Sequence, residues 1–271
     1  MTLRPAGLML LAVLIAVPAA AQTETDRELV PAEPDFTLLS LPTGLRMPKG
    51  ALTFRLTHRF SRPIASGSVG DFFADFFGFD SSAQVGLELR YGLLPGAQVT
   101  AYRTNDRAVQ FLGQMQLLRQ NDGQPFGTDA IIAIEGANNF QEDFATTVGG
   151  VVSYRYREQM AFYAHPIGVF NAAFEDAVLE DETRHAFLLG LGARVRLGHW
   201  RTYAVAEYAP RLAGYGPGVD HVSVGLERRT GSHLFQFNVS NSLGTSMRQI
   251  ARGGFVEGDW YVGFNLTRKF F

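Results

Sequence analysis

The chain has no cysteine. That excludes disulfides, thiolate metal sites, covalent c-type haem attachment and a lipidated N-terminal cysteine together. Charge is scarce too: Asp, Glu, Lys and Arg make 18% of the residues, against roughly 25% in soluble domains. A net charge of −2 argues against a nucleic-acid partner. The histidines fall in no paired-ligand spacing such as H-E-x-x-H, so neither a metal nor another cofactor is expected. Beyond the first 21 residues no apolar run has the length of a transmembrane helix. In a membrane, such a chain satisfies its backbone hydrogen bonds only as a closed β-barrel.

The one apolar run, Leu8–Val17, follows Arg4 and is broken by Pro18 before Ala19-Ala20-Ala21. This is the pattern of a cleavable signal peptide, residues 1–21, and the run is too short to cross a bilayer as a helix. Export into the Gram-negative envelope is therefore expected. Residues 22–50 read as an acidic lead-in punctuated by Pro31, Pro34, Pro42 and Pro48. It is expected in the periplasm or tucked into one barrel mouth, with residues 51–271 forming an outer-membrane β-barrel.

Aromatic residues make 12% of the chain and glycine contributes 29 positions, a composition suited to curved strands and interfacial belts. Period-2 alternation marks the strands. In 259–271, Trp260, Val262, Phe264 and Leu266 share one face; Tyr261, Gly263, Asn265, Thr267 and Lys269 share the other. Similar segments fall at 51–60, 83–91, 97–103, 108–118, 128–136, 147–156, 160–168, 187–197, 201–208, 221–229 and 234–240, with Pro166 interrupting the seventh. Twelve strands suit an all-β, antiparallel transmembrane barrel with short periplasmic turns and longer external loops. The links 92–96, 157–159, 198–200 and 230–232 are short; 61–82, 169–185, 209–220 and 241–258 are long. The stretches 104–106 and 119–126 fit this rule less well. A soluble sandwich or lipocalin-like barrel also alternates, but strand length, polar faces bearing Arg, Glu and Gln, and the loop rule favour lipid.

A strand ending in phenylalanine resembles the signal by which bacterial outer-membrane barrels are recognised by the assembly machinery. Counting back by twos, only Phe270 starts the apolar ladder; Phe271 leads to Lys269, Thr267 and Asn265. Several further runs carry a family resemblance: LPTGLRMPKGALTFRLTHRF (41–60), GFDS (78–81), LLRQ (117–120), AFLLGLGARVR (186–196), AEY (206–208), GLE (225–227), TGSHLFQF (230–237), SNS (240–242) and GFNLTR (263–268). In these the chain resembles a family of bacterial outer-membrane barrels catalogued as domain-of-unknown-function family 5777. The family pattern usually has two glycines before His233, where this chain has Ser232. The resemblance implies the fold and assigns no activity.

Candidate chemistry is sparse. His221-Val222-Ser223 with Asn238 on the next strand suggests an outer-membrane phospholipase-type centre. Val222, Val224 and Leu226 claim the lipid face, however, so His221 and Ser223 point into the lumen and no enzyme is expected. The acidic loop around Glu175, Asp176, Glu180, Asp181 and Glu182 reads as solvated rather than Ca²⁺-binding. Phe72, Phe73, Phe76 and Phe77 fall on one side of a short helix in the first long loop, as a docking site for an envelope protein or a self-burying rim. Arg55, Arg59, Arg90, Arg155, Arg194, Arg196, Arg201 and Lys269 are expected in the lumen with Glu88, Glu135, Glu207 and Glu227. An open lumen so lined would favour anions; paired charges would close it, as in many small barrels. The expectation is a narrow or closed, porin-like barrel for small anionic solutes. The rival is a non-conducting scaffold that docks another envelope protein.

Overall fold

The computed structural model describes residues 32–67, 70, 82–120, 123–173, 183–198 and 201–271. The strands are β1 (Leu52–Phe60), β2 (Ala83–Leu94), β3 (Ala97–Thr104), β4 (Val109–Leu118), β5 (Gly127–Gly136), β6 (Glu142–Tyr156), β7 (Met160–Phe170), β8 (Ala186–Arg196), β9 (Thr202–Ala209), β10 (Arg211–Gly214), β11 (His221–Thr230), β12 (His233–Ser240) and β13 (Tyr261–Lys269). Every pairing is antiparallel, and β1 pairs with β13 to close the sheet (Thr53 opposite Lys269, Arg59 opposite Gly263). β9 and β10 lie along the same neighbour, β8, with Tyr208 opposite Leu191 and Arg211 opposite Leu188. Pro210 separates them, because it has no N–H to donate, though its carbonyl still accepts from Leu189. The barrel is therefore twelve strands around, with β10 as an extra short strand.

Alternation decides which solvent each face meets. Leu87, Leu89, Phe111, Met115, Ile132, Val148, Val224, Leu226, Phe235 and Phe237 stand on the outer surface; Ile132 is 60% exposed and Phe237 58%. Arg55, Arg59, Glu88, Arg90, Gln114, Arg194, Glu207, Glu227, Asn265 and Lys269 are buried inside. A soluble protein places its apolar side chains the other way round, so a lipid-facing barrel is the consistent reading. β7 is regular despite Pro166, which sits on the outer face opposite Leu189.

One end of the barrel carries the links 95–96, 157–159, 197–201 and 231–232 and also the longer 119–126; we call it the turn end. The other, the loop end, carries 61–82, 171–185, 215–220 and 241–260, but also two short links, 105–108 and 137–141. The 137–141 link is tight because Asn138, Asn139 and Phe140 adopt left-handed φ values of 47°, 59° and 65°. Those two links explain why the loop rule fails early in the chain.

The lead-in is where sequence and structure part most. Residues 32–47 are not a periplasmic tail, nor merely tucked into a mouth. They run into the lumen as a hairpin that rises from the turn end, reverses at Ser40 and returns to β1. Leu38, Leu39 and Leu41 are wholly buried, among Tyr163, Ile167, Val205, Met247 and Ile250. The physical reason is the supply of partners inside: the barrel wall offers hydrogen bonds to a backbone that would otherwise need water.

Candidate functional site: a lumen filled from both ends

The hairpin is locally closed by its own backbone. Thr37 bridges Pro42, the Leu38 N–H donates to the Leu41 carbonyl (2.8 Å) and the Thr43 N–H to Phe36 (2.9 Å). The Thr43 hydroxyl adds a bond to the Asp35 carbonyl (2.9 Å). Its leucines lie over wall glycines. A Cβ on Gly190 would come 3.0 Å from Leu41 Cδ1, one on Gly225 would come 3.0 Å from Leu39 Cδ2, and one on Gly192 would run into Leu38. These glycines face inward to leave room for the insert.

The polar contacts are dense. Glu207 Oε2 accepts three consecutive backbone N–H groups, from Leu39 (3.2 Å), Ser40 (3.0 Å) and Leu41 (3.1 Å), so the hairpin apex acts as an anion-binding nest around a wall carboxylate. Its other oxygen meets His221 Nε2 at 2.9 Å. Arg194 donates to the Thr37 carbonyl (2.9 Å) and is clasped by Glu227. Gln236 bridges the Leu38 carbonyl (2.7 Å) and Glu227 (2.6 Å). Arg55 and Asn265 both donate to the Leu39 carbonyl (2.5 and 3.2 Å). At the base, Asp35 meets Lys269 (3.4 Å) and accepts from Thr267 (2.8 Å), while Glu33 accepts from Tyr163 (2.8 Å) and pairs with Arg155 (3.4 Å). Six basic wall side chains, Arg55, Arg59, Arg90, Arg155, Arg194 and Lys269, turn to the hairpin. One wall carboxylate, Glu207, meets it.

The loop end is closed by a second insert. The 241–260 link folds inward and carries helix α1 (Met247–Arg252), started by a capping box between Ser246 and Gln249. Met247, Ile250 and Ala251 are buried. Arg248 bonds Asp143 (2.8 Å) and the Ala173 carbonyl (2.6 Å), and Arg252 bonds the Ala172 carbonyl (2.6 Å). Burial, together with the neighbouring Arg248 cation, lowers the Arg252 guanidinium to about 10. The two inserts meet at Arg59, which donates to Ser40 Oγ (2.8 Å) on the hairpin and to the Ser242 (3.2 Å) and Gly244 carbonyls of the loop. His221 forms a second junction, touching Glu207 on one side and Ser242 Oγ (2.8 Å) on the other.

Of the residues expected in the lumen, Arg55, Arg59, Glu88, Arg90, Arg194, Glu207 and Glu227 are buried there, and Arg155 and Arg196 are half-buried toward the turn end. Arg201 is instead exposed, just ahead of β9. Phe72, Phe73, Phe76 and Phe77 lie outside the described residues, as do Glu175, Asp176, Glu180, Asp181 and Glu182. His221 and Ser223 are buried in the lumen, with Ser223 Oγ 3.4 Å from His221 Nε2 and 2.7 Å from Ser240 Oγ. Phe271 turns inward, edge-on to Phe36 at the hairpin base (6.3 Å between centroids). Sequence reasoning missed the hairpin's Glu33 and Asp35, the seats at Gly190, Gly192 and Gly225, and Arg248. The signal that was available is a run of inward glycines without a side chain to fill the space.

A family model described as a membrane-bound beta barrel domain (DUF5777) matches residues 35–270, and the chain belongs to that family. No curated protein matches the chain. Among solved structures it is similar to outer membrane phospholipase A from Escherichia coli, at 13% identity over 89% of this chain and 96% of that one, with a TM-score of 0.44. It is also similar to LpxR from Salmonella typhimurium (12% identity, 82% and 99% covered, TM-score 0.38) and to a mutant of the porin of Rh. blastica (9%, 83% and 100%, 0.34). Likeness at this level concerns the fold alone. The runs that carry the family resemblance include the hairpin and much of its seat: LPTGLRMP is the hairpin's returning arm, GLGAR supplies Gly190, Gly192 and Arg194, AEY supplies Glu207, GLE supplies Gly225 and Glu227, and GFNLTR supplies Asn265 and Thr267.

Proposed function

We propose that this family member is an outer-membrane barrel, non-enzymatic, that holds no permanently open pore and passes small anions when its N-terminal hairpin leaves the lumen and the 241–260 insert, joined to it through Arg59, swings aside with it. The turn end then faces the periplasm, the loop end faces outward, and lipid covers the apolar wall after delivery by a signal peptide and the assembly machinery. The observation that carries the reading is the charge of the hairpin seat. Among the described residues, six wall cations turn to the insert against Glu207 and the Glu88 and Glu227 partners of Arg90 and Arg194, so cations outnumber carboxylates in the seat six to three and its exposure attracts anions. The buried setting of His221 and Ser223, away from lipid ester bonds, supports the non-enzymatic reading.

Ion selectivity tests it. In planar bilayers under a salt gradient, a variant lacking residues 32–47 is expected to give an anion-preferring reversal potential. Adding Arg194→Glu and Arg196→Glu should abolish or invert that preference. A cation preference in the hairpin-deleted barrel would refute the reading. A folded, hairpin-deleted barrel without conductance would instead leave the chain as a scaffold that docks an envelope protein through its loops.

A further inference from the structure

A recess of about 470 Å³ opens at the turn end, where the hairpin enters and leaves the barrel. Its lining includes Arg46, Lys49, Arg119 and Arg155 against the Glu33 side chain and Phe271, which carries the terminal carboxylate. Arg46 and Lys49 make no hydrogen bond or ion pair among the described residues. Arg46 and Lys49, crowded beside Arg119 and Arg155, leave the recess net positive, and a bound anion relieves the repulsion among them. The volume lies within the range of small-molecule sites.

The recess is also built. The Gln120 side chain donates to the Arg155 carbonyl (3.0 Å) and accepts the Arg155 N–H (2.8 Å), which fixes the start of the 119–126 link against β6. Arg119 and Arg155 are thereby held on the same recess. Gly44 and Gly127 leave space for the Ser153 hydroxyl, since a Cβ on either would stand 2.5 or 2.6 Å from Ser153 Oγ.

We propose that this recess binds a small anion bearing phosphate or carboxylate groups, held by Arg46, Lys49 and Arg119 and sharing Arg155 with Glu33. The site stands on its own geometry and does not require conduction through the barrel. It has one consequence for the hairpin. Glu33 and Arg46 both belong to the hairpin and Glu33 pairs with Arg155 at 3.4 Å, so an anion on Arg155 replaces one hairpin contact and, through Arg46, makes another. Binding and hairpin seating are then reciprocally linked.

Isothermal titration of the detergent-solubilised chain tests this, with inorganic pyrophosphate and citrate as separate probes for the two chemistries. One site, weakened by salt, is expected for at least one probe. Arg46→Gln and Lys49→Gln should each weaken it about tenfold. Glu33→Gln should tighten it by removing the rival carboxylate. Arg103→Gln, at an exposed arginine bonded to Asn139 at the loop end, should leave it unchanged. No heat from either probe up to about 10 mM would overturn the proposal. So would an equal loss from Arg103→Gln, which would mark diffuse surface charge. A barrel that binds a probe yet never conducts keeps the site and refutes only the passage reading.

Discussion

Removing the Glu207 carboxylate is the sharpest perturbation of the closed state. In Glu207→Ala the three N–H groups of Leu39, Ser40 and Leu41 lose their shared acceptor, and His221 loses a partner. Hydrogen bonds to a charged group contribute about 1.5–3 kcal/mol each, but bonds to one carboxylate are not additive. Breaking one side of a buried charged network typically costs about 3–5 kcal/mol. Because every 1.4 kcal/mol is tenfold, the open population should rise by roughly 10² to 4 × 10³-fold. The natural absence of cysteine makes the assay clean. Ser40→Cys places one thiol at the hairpin apex, and the rate of labelling by a soluble maleimide reports its exposure when opening and closing are fast. Labelling in Ser40→Cys with Glu207→Ala should exceed that of Ser40→Cys alone by the stated factor, with heat-modifiable gel mobility confirming a folded barrel. Glu207→Gln, which keeps one acceptor, should fall between. Equal labelling rates in all three would refute the claim that the carboxylate holds the apex.

Gly192→Leu puts a side chain where Leu38 sits; overpacking of about 1–3 kcal/mol should loosen the hairpin and raise Ser40→Cys labelling while the barrel still folds. Phe237→Arg places a cation on the outer wall and should destabilise the barrel by about 2–4 kcal/mol if that site lies near the bilayer midplane, read from urea unfolding in lipid. A neutral effect would contradict a lipid-facing Phe237. Ser223→Ala should leave any trace of lipase activity unchanged in the solubilised protein; a Ser223-dependent activity would overturn the non-enzymatic reading.

The strands were legible because period-2 alternation is a local property of each segment. In β13, Val262, Phe264 and Leu266 face lipid and Asn265, Thr267 and Lys269 face the lumen, as their spacing indicates. Alternation also placed Arg55, Arg194, Glu207 and Glu227 inside. It does not say what those side chains bond to. Leu38, Leu39 and Leu41 form no periodic element, and prolines make the segment read as a linker, so their burial follows only from tertiary contact. Gly190, Gly192 and Gly225 read as flexibility or curvature in a single sequence, whereas they are contact surfaces for those leucines. Arg248 lies in a long link whose length suggested solvent exposure, yet it folds back on Asp143.

The most direct test of the central claim compares steady conductance of the intact barrel with that of the barrel lacking residues 32–47, in the same bilayer and at the same salt. The intact protein should show none above the lipid background, and the deletion, or Glu207→Ala in a chain too unstable without its hairpin, should open a channel. Steady conductance from the intact barrel, unchanged when the hairpin is removed or loosened, would contradict the account.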